Sequence, residues 1–420
     1  MVGIITKMIP VARFSFEPVG QGLFCTGRIG SFNMVYDCGE LRGITKISNV
    51  INEYKKTLVN SKIDMLILSH LHWDHINGLV ELMKNTRVRY VFLPYLLPIQ
   101  RLLLATNATN NADQSYYNFL IDPVNYLIEL GAEKVVLIVG KGDEGDQARF
   151  EPYDGDTSNQ EFNISGDDFN DESILLPEDD DLAKTISEYD SQLLKIKPKL
   201  SFKNDSRFIS LKDRWVFRFF SPPTKVNLKN FENCVRKILP KTGKIDSHTL
   251  SIILSNRSNL DKLIGCYKST FKNLNDTSLI VFHGPAKKLS SALCYSSLYY
   301  TITMESKFYQ CSYSFKHRGR IGWLLTGDVD FNKVKKPFLK HFSSYLSSMA
   351  YLLIPHHGSK GNWNSEIMNS VTKPSHWIVS FGLGNYYRHP NYDVISEIVK
   401  NGNKVSICNE FMRIEQQVFT

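Results

Sequence analysis

The stretch Ser69-His70-Leu71-His72-Trp73-Asp74-His75-Ile76-Asn77-Gly78 decides how this chain is read. Four side chains of metal-ligating type, His70, His72, Asp74 and His75, fall within six positions. They follow a strand-like apolar run, Ile63-Asp64-Met65-Leu66-Ile67-Leu68. Side chains alternate along a strand, so His70, His72 and Asp74 point roughly the same way where that strand opens into a loop. Imidazole nitrogens beside a hard carboxylate suit zinc, or manganese and iron at mixed nitrogen and oxygen sites. Histidine supplies only 11 of the 420 residues, so clustering by chance is rare and a solvated polar loop is the weaker reading.

Outward from that loop, strands and helices alternate. Apolar and polar residues alternate from Ala12 to Cys38 around glycines, which predicts two or three strands joined by tight turns. Ile47, Val50, Ile51, Tyr54 and Leu58 give 45–59 an amphipathic helical pattern. Beyond the histidine loop we expect a helix from near Asn77, a strand at 91–94, helices around 114–130 and a buried strand at 134–139. Further strands are expected at 214–220, 248–254, 278–282, 322–328, 351–354 and 377–381, with helices near 226–239 and 392–401 and a closing strand near 404–408. No internal repeat is present. The alternation argues for an α/β layered architecture, read as one domain over 1–420.

Two segments interrupt it. Residues 142–190 hold 17 acidic residues against Arg149 and Lys184, a local net of −15, and read as an inserted flexible acidic loop. Residues 284–320 are basic and aromatic and read as a second insertion. Because the whole chain carries only +8, the rest is strongly basic, a body that can attract a polyanion such as nucleic acid; a lysine-rich surface without a partner is the plain alternative.

The N-terminal apolar run is too short for a signal peptide, and no window approaches 18 apolar residues, so the cytosol is the expected compartment, with no membrane partner. Seven scattered cysteines, Cys25, Cys38, Cys234, Cys266, Cys294, Cys311 and Cys408, form no C-x-x-C pair and fit reduced, mostly buried thiols.

Several apolar runs end in a chemically loaded turn: Asp37 after Met34-Val35-Tyr36, His70 after Ile67-Leu68, Asp328 after Leu324-Leu325, and His356 after Leu352-Leu353-Ile354. Functional groups at strand ends are what a site on a rigid layered scaffold requires. Asp37-x-Gly39, the HxHxDH run, Thr326-Gly327-Asp328, Pro355-His356-His357-Gly358-Ser359 and Gly382-x-x-Asn385-x-Tyr387-x-His389-Pro390 follow in order. This order resembles the metallo-β-lactamase superfamily of hydrolases. It is closest in kind to the branch holding the soluble hydrolase domain of ComEC-type competence proteins and the choline-phosphate esterases. Val19-Gly20-Gln21-Gly22 also resembles that branch's opening strand and turn. The membrane channel of ComEC proteins has no counterpart here, so a role in DNA transport does not carry over.

The resemblance implies an αββα sandwich with two divalent metal ions, zinc or manganese, at one edge of its sheets. It implies that His70 and His72 hold the first ion, that Asp74 and His75 hold the second, and that Asp328 bridges both. A turn aspartate bonding its own backbone is the other reading of Asp328. The usual third histidine for the first ion is missing between the HxHxDH run and Asp328, where only His248 and His283 occur. Asp37 is the candidate replacement; alternatively it orients a ligand histidine from behind. His356 and His357, adjacent on an extended segment, are expected to face opposite ways, one completing the second metal site and the other meeting substrate or a neighbour. His389, in a Gly/Asn turn before Pro390, is a candidate for contacting an anionic group or donating a proton, or a structural turn residue.

Two cations bring a bridging water towards hydroxide at neutral pH and offset charge developing on a phosphoryl or carbonyl oxygen. Asp74 would both ligate and orient that nucleophile. No Gly-x-Ser-x-Gly elbow suggests a serine enzyme. The expected reaction is metal-assisted hydrolysis of a phosphodiester in nucleic acid or a nucleotide, with tyrosines beside Arg388, Lys360 and 296–320 able to stack bases. Hydrolysis of a small ester, thioester or lactam is the enzymatic alternative. A metal-binding subunit of a multiprotein assembly, such as one of bacterial defence, with both insertions as protein-partner surfaces, is the alternative of a different class.

Overall fold

Strand-forming alternation from Ala12 onward produces a meander, β1 (Ala12–Phe16), β2 (Gly22–Ile29) and β3 (Phe32–Glu40), whose side chains are almost all buried. The computed structural model describes residues 11–41, 47–106, 112–140, 200–204, 208–211, 214–222, 228–239, 245–270, 278–286, 293–301, 308–318 and 320–419. After the meander the chain switches to parallel pairing through β4 (Lys62–Ile67), β5 (Arg87–Pro94), β6 (Ala132–Val139) and β7 (Leu200–Asn204). The intervening helices are α1 (Ile47–Lys55), α2 (Trp73–Ile76), α3 (Leu79–Met83), α4 (Pro98–Thr106), α5 (Gln114–Ile121) and α6 (Pro123–Glu129).

The second sheet is β8 (Phe208–Leu211), β9 (Trp215–Phe220), β10 (Ile280–Pro285), β13 (Trp323–Leu325), β14 (Tyr351–Leu353), β15 (His376–Ser380) and β16 (Lys404–Cys408), seven strands in that spatial order. From β13 to β16 the pairing is parallel. Between them in sequence, β11 (Leu293–Thr301) and β12 (Phe308–Arg318) cross to the first sheet, joined by β17 (Met412–Phe419), which pairs with β1. That sheet therefore has ten strands. The 284–320 segment, expected as an insertion, contributes these two strands to the sheet; 142–190 lies outside the described residues, within 141–199.

The inner faces of the two sheets share one apolar core that includes Phe14, Phe32, Tyr36, Phe92, Trp215, Phe217, Phe219 and Trp323. Phe92 of β5 stacks on Phe219 of β9 at 5.3 Å, and the Tyr36 hydroxyl donates to the Leu279 carbonyl at 2.9 Å. Helices cover both outer faces. The first sheet is covered by α1 to α6 together with α7 (Lys229–Ile238), α8 (Ser247–Leu254) and α9 (Arg257–Thr270). The second is covered by α10 (Phe331–His341), α11 (Ser365–Ser370) and α12 (Tyr392–Lys400). The result is the αββα sandwich expected. No helix among the described residues is long and apolar enough to cross a membrane.

Three expectations are corrected. Residues 248–254 form helix α8, not a strand: Asp246 accepts from Thr249 N as its cap, and Leu250, Ile253 and Leu254 bury one face, which outweighs the strand preference of Ile252-Ile253. The helix expected from near Asn77 is α3, and a separate short turn, α2, precedes it. The chain closes not at 404–408 but with β17, whose Glu415 and Gln416 hide its strand character because both are buried in mid-sheet. Glu415 meets Arg13 and Arg413 there, and Gln416 takes the Trp323 indole N–H. Finally, Cys234 and Cys266, expected as reduced thiols, form a disulfide between α7 and α9. Their packing brings the Cα atoms to 5.7 Å, a proximity that a sequence separation of 32 does not reveal.

Candidate metal centre

The site sits where parallel strands of both sheets end, the edge at which open α/β sheets expose loop residues for binding. On β3, residues Phe24 and Cys25 of β2 pair with Cys38 and Tyr36, which leaves Asp37 as the extra residue of a bulge with φ of 57°. A bulge re-aims a side chain, and here it sends the wholly buried Asp37 carboxylate towards the histidine loop. Gly39 lets that loop lie against β3, because a Cβ there would meet the Asp74 carbonyl oxygen at 2.2 Å.

Asp37 is surrounded by donors. Ser69 N donates to its Oδ1 at 2.6 Å, Ser69 Oγ donates to Oδ2 at 2.5 Å, and His75 Nδ1 lies 2.8 Å from Oδ2. Ser69 Oγ is also 2.9 Å from His70 Nδ1. One buried carboxylate thereby orients His75 directly and His70 through a hydroxyl, leaving both Nε2 atoms facing the cavity side. Asp37, His70 and His75 also bring ligand-type atoms within 4.8 Å of one another, with the two Nδ1 atoms and the carboxylate engaged in these hydrogen bonds. The Asp37 carboxylate is engaged by Ser69 and the Nδ1 face of His75, the arrangement that the second reading of Asp37, orienting a histidine from behind, requires.

From the second sheet, Asp328 follows β13 through Gly327, whose φ of 53° brings the turn against Ser69. Its Oδ2 lies 3.8 Å from His70 Nε2 and 3.9 Å from His356 Nε2; its Oδ1 lies 3.7 Å from His75 Nε2 and 3.9 Å from His357 Nε2. The two oxygens thus face two different pairs of imidazoles. His70, His72 and Asp328 form one group able to hold a cation, and Asp74, His75 and His357 form a second.

His356 and His357 do not diverge. Both adopt left-handed backbone, φ of 47° and 54°, in a short turn rather than an extended segment, and this turns both rings towards Asp328. Consecutive non-glycine residues in that region carry strain of the kind that marks functional sites. The Ser380 carbonyl takes the His357 Nδ1–H at 2.8 Å, fixing Nε2 as the inward atom. His356 Nε2 therefore lies against the same Asp328 oxygen as His70 Nε2. The two histidines between the HxHxDH run and Asp328 lie elsewhere: His248 is on α8, and His283 is buried between the sheets, stacked on Trp323 at 5.3 Å. The left-handed backbone, which the chain order does not disclose, is what brings His356 to Asp328.

His389 is half-buried, its ring 5.8 Å from that of His356. Asn385 Oδ1 accepts its backbone N–H, while its Nδ1 has no hydrogen-bond partner. Burial and the neighbouring His356 and His357 lower its pKa to about 4, so it is neutral at pH 7.

Electrostatics tie the cluster together. Burial opposes ionisation of Asp328, yet the imidazoles of His356, His75, His357 and His70 hold its carboxyl well below the usual range. Burial likewise opposes charge on His75, but Asp328, Asp37 and Asp74 raise its pKa to about 10. His70, His72 and His357 are pushed down, chiefly by burial. The Nε2 atoms of His70, His72, His75 and His357 are buried without any hydrogen-bond partner, although buried polar atoms are almost always satisfied. Four such orphans converging on one carboxylate fit divalent cations of zinc or manganese type.

Residues 28–105 match the family model described as Metallo-beta-lactamase superfamily. Among solved structures, the metallo-beta-lactamase fold protein YhfI from Bacillus subtilis is similar over 96% of this chain and 99% of its own, at 10% identity and a TM-score of 0.37. A long form RNase Z from yeast is similar over 81% of this chain and 32% of its own, at 9% identity and a TM-score of 0.28. No curated protein matches the chain. The matched residues 28–105 carry His70, His72, Asp74 and His75, so the strand-and-loop unit described above is similar to the metallo-β-lactamase superfamily.

Proposed function

We propose that the protein is a metal-dependent phosphodiesterase or nuclease, with two divalent cations, zinc or manganese, held at the strand-end cluster. His70, His72, His356 and Asp328 Oδ2 would hold one cation, and Asp74, His75, His357 and Asp328 Oδ1 the other. When bound, such a pair supplies an acidified water as nucleophile and a counter-charge for the phosphoryl oxygens. The chain's residues prepare that chemistry. Asp37 keeps His75 and, through Ser69, His70 in the tautomer that presents Nε2 inward. Asp74, its carboxylate 4.0 Å from His75 Nε2, would both help to hold the second cation and orient the water. His389, neutral and half-buried beside His356, is placed to hydrogen-bond a substrate oxygen.

The observation that carries this reading is the division of Asp328, one oxygen towards His70 and His356, the other towards His75 and His357. The test joins metal analysis with turnover. About two equivalents of zinc or manganese per chain and hydrolysis of bis(p-nitrophenyl) phosphate are expected, both lost in Asp328→Ala. Two bound cations with no turnover on phosphodiesters, and turnover instead on a small ester, thioester or lactam, would assign the site to the other substrate class. Full occupancy with no turnover on any of these would favour the metal-binding subunit.

A further inference from the structure

Of the eight large apolar side chains that stand exposed among the described residues, four fall between 383 and 392: Leu383, Tyr386, Tyr387 and Tyr392. Tyr386 is 92% exposed, Tyr392 80% and Tyr387 59%, so these rings contribute little to the core. They are nonetheless held on a fixed scaffold. The Asn385 side chain donates to the carbonyls of Gly382 and His389, both at 2.7 Å, and accepts from His389 N at 2.9 Å. The Glu410 carboxylate accepts Leu383 N. Asn391 N donates to the Gly358 carbonyl, and Lys360 N donates to Asn391 Oδ1 at 2.7 Å, so the loop is stapled to the turn that carries His356 and His357. Arg388 sits between the tyrosines and His389 in left-handed backbone, φ of 57°, exposed and with no ion pair among the described residues. The next acid along the chain, Asp393, is paired with Lys360 at 2.6 Å.

The rings form a line into the site. Tyr386 meets Tyr387 edge-on at 6.0 Å, Tyr387 lies nearly parallel to His389 at 6.0 Å, and His389 is 5.8 Å from His356. Flat aromatic faces beside an uncompensated guanidinium, continuous with a cluster suited to phosphoryl chemistry, match a ligand that alternates flat bases with anionic phosphates. Only unpaired bases offer their faces; a duplex keeps them stacked inside.

We infer that Tyr386, Tyr387 and Arg388 form the docking platform for a single-stranded nucleic acid, stacking bases next to the phosphodiester that reaches the metal centre. This deepens the phosphodiesterase reading and rests on it for the identity of the bond cleaved. Binding itself is independent of turnover and is measured in EDTA with the full chain, by fluorescence anisotropy of a labelled 20-nucleotide thymidine strand and of a 20-base-pair duplex. Each of Tyr386→Ala and Tyr387→Ala weakens strand binding about tenfold or more, whereas Tyr386→Phe and Tyr387→Phe, which keep the ring, restore it. Arg388→Ala weakens binding and lowers its salt dependence. Unchanged strand affinity in both alanine variants, equal or tighter binding of the duplex, or tyrosine-dependent binding of a soluble oligosaccharide in place of the strand would each overturn the inference. Wild-type turnover of bis(p-nitrophenyl) phosphate, assayed separately, distinguishes the two levels. A chain that hydrolyses the diester but ignores the tyrosine changes keeps the phosphodiesterase reading and loses the platform. A chain that binds the strand through the tyrosines without cleaving either diester loses the phosphodiesterase reading and keeps the platform.

Discussion

His75 and His283 are equally buried, yet their surroundings move them in opposite directions. His75, at the strand-end edge, faces Asp37, Asp74 and Asp328, and its pKa rises to about 10 against the cost of burial. His283, between the sheets, stacks on Trp323 and lies near Phe217, Phe14 and Trp215; burial alone lowers its pKa to about 3. The first region gathers carboxylates and orphaned ring nitrogens from five separate segments, and the second uses an imidazole as one more flat ring. Burial of a histidine is therefore no sign of function here. Convergence of unsatisfied nitrogens on a shared carboxylate is.

The largest way to break the contrast is to remove the shared carboxylate. Asp328→Ala is expected to drop phosphodiester turnover by more than about a thousandfold and bound metal below one equivalent, read by elemental analysis and a chromogenic diester assay. His389→Gln, which keeps a polar group beside His356, is expected to cost about a hundredfold in turnover while metal content stays at two equivalents. Asp37→Asn tests the support behind the ligands. Zinc affinity, measured by competition with a chelating dye, should fall by about 10- to 100-fold because the hydrogen bond to His75 Nδ1 loses its charge.

The smallest effect sharpens the other side. The folded His283 has a lower pKa than the unfolded value of about 6.5, so the unfolded chain takes up the proton first as pH falls. Its contribution to stability is therefore intact above about pH 6.5, is lost as pH drops towards 3, and costs up to about 1.4 kcal/mol for each pH unit within that window. His283→Phe should flatten the pH dependence of the urea midpoint between those limits, with little effect on metal content. A variant as acid-sensitive as the parent would contradict the assignment of His283 to the core.

The half of the site on the first sheet was legible because four groups lie in one short loop after one strand, and alternation alone aligns three of them. Asp328, His356 and His357 were legible as strand-end residues, but their roles were not. Which way two adjacent histidines point depends on left-handed backbone that no propensity indicates. The surroundings of Asp37 were not legible for a related reason: a bulge decides which way its carboxylate faces, here towards His75 Nδ1. In the fold, strand β17 was hidden by Glu415 and Gln416, whose partners Arg13, Arg413 and Trp323 lie on distant strands. Helix α8 was hidden by β-branched residues that its cap and packing override. Local patterns gave the strand ends, and long-range contacts decided what those ends do.

Anomalous diffraction from crystals grown with zinc, or with manganese, tests the central claim most directly. Two peaks about 3.5–4 Å apart are expected on either side of the Asp328 carboxylate, one against His70, His72 and His356, the other against Asp74, His75 and His357. A single peak coordinated by Asp37, or no peak within reach of Asp328, would contradict it.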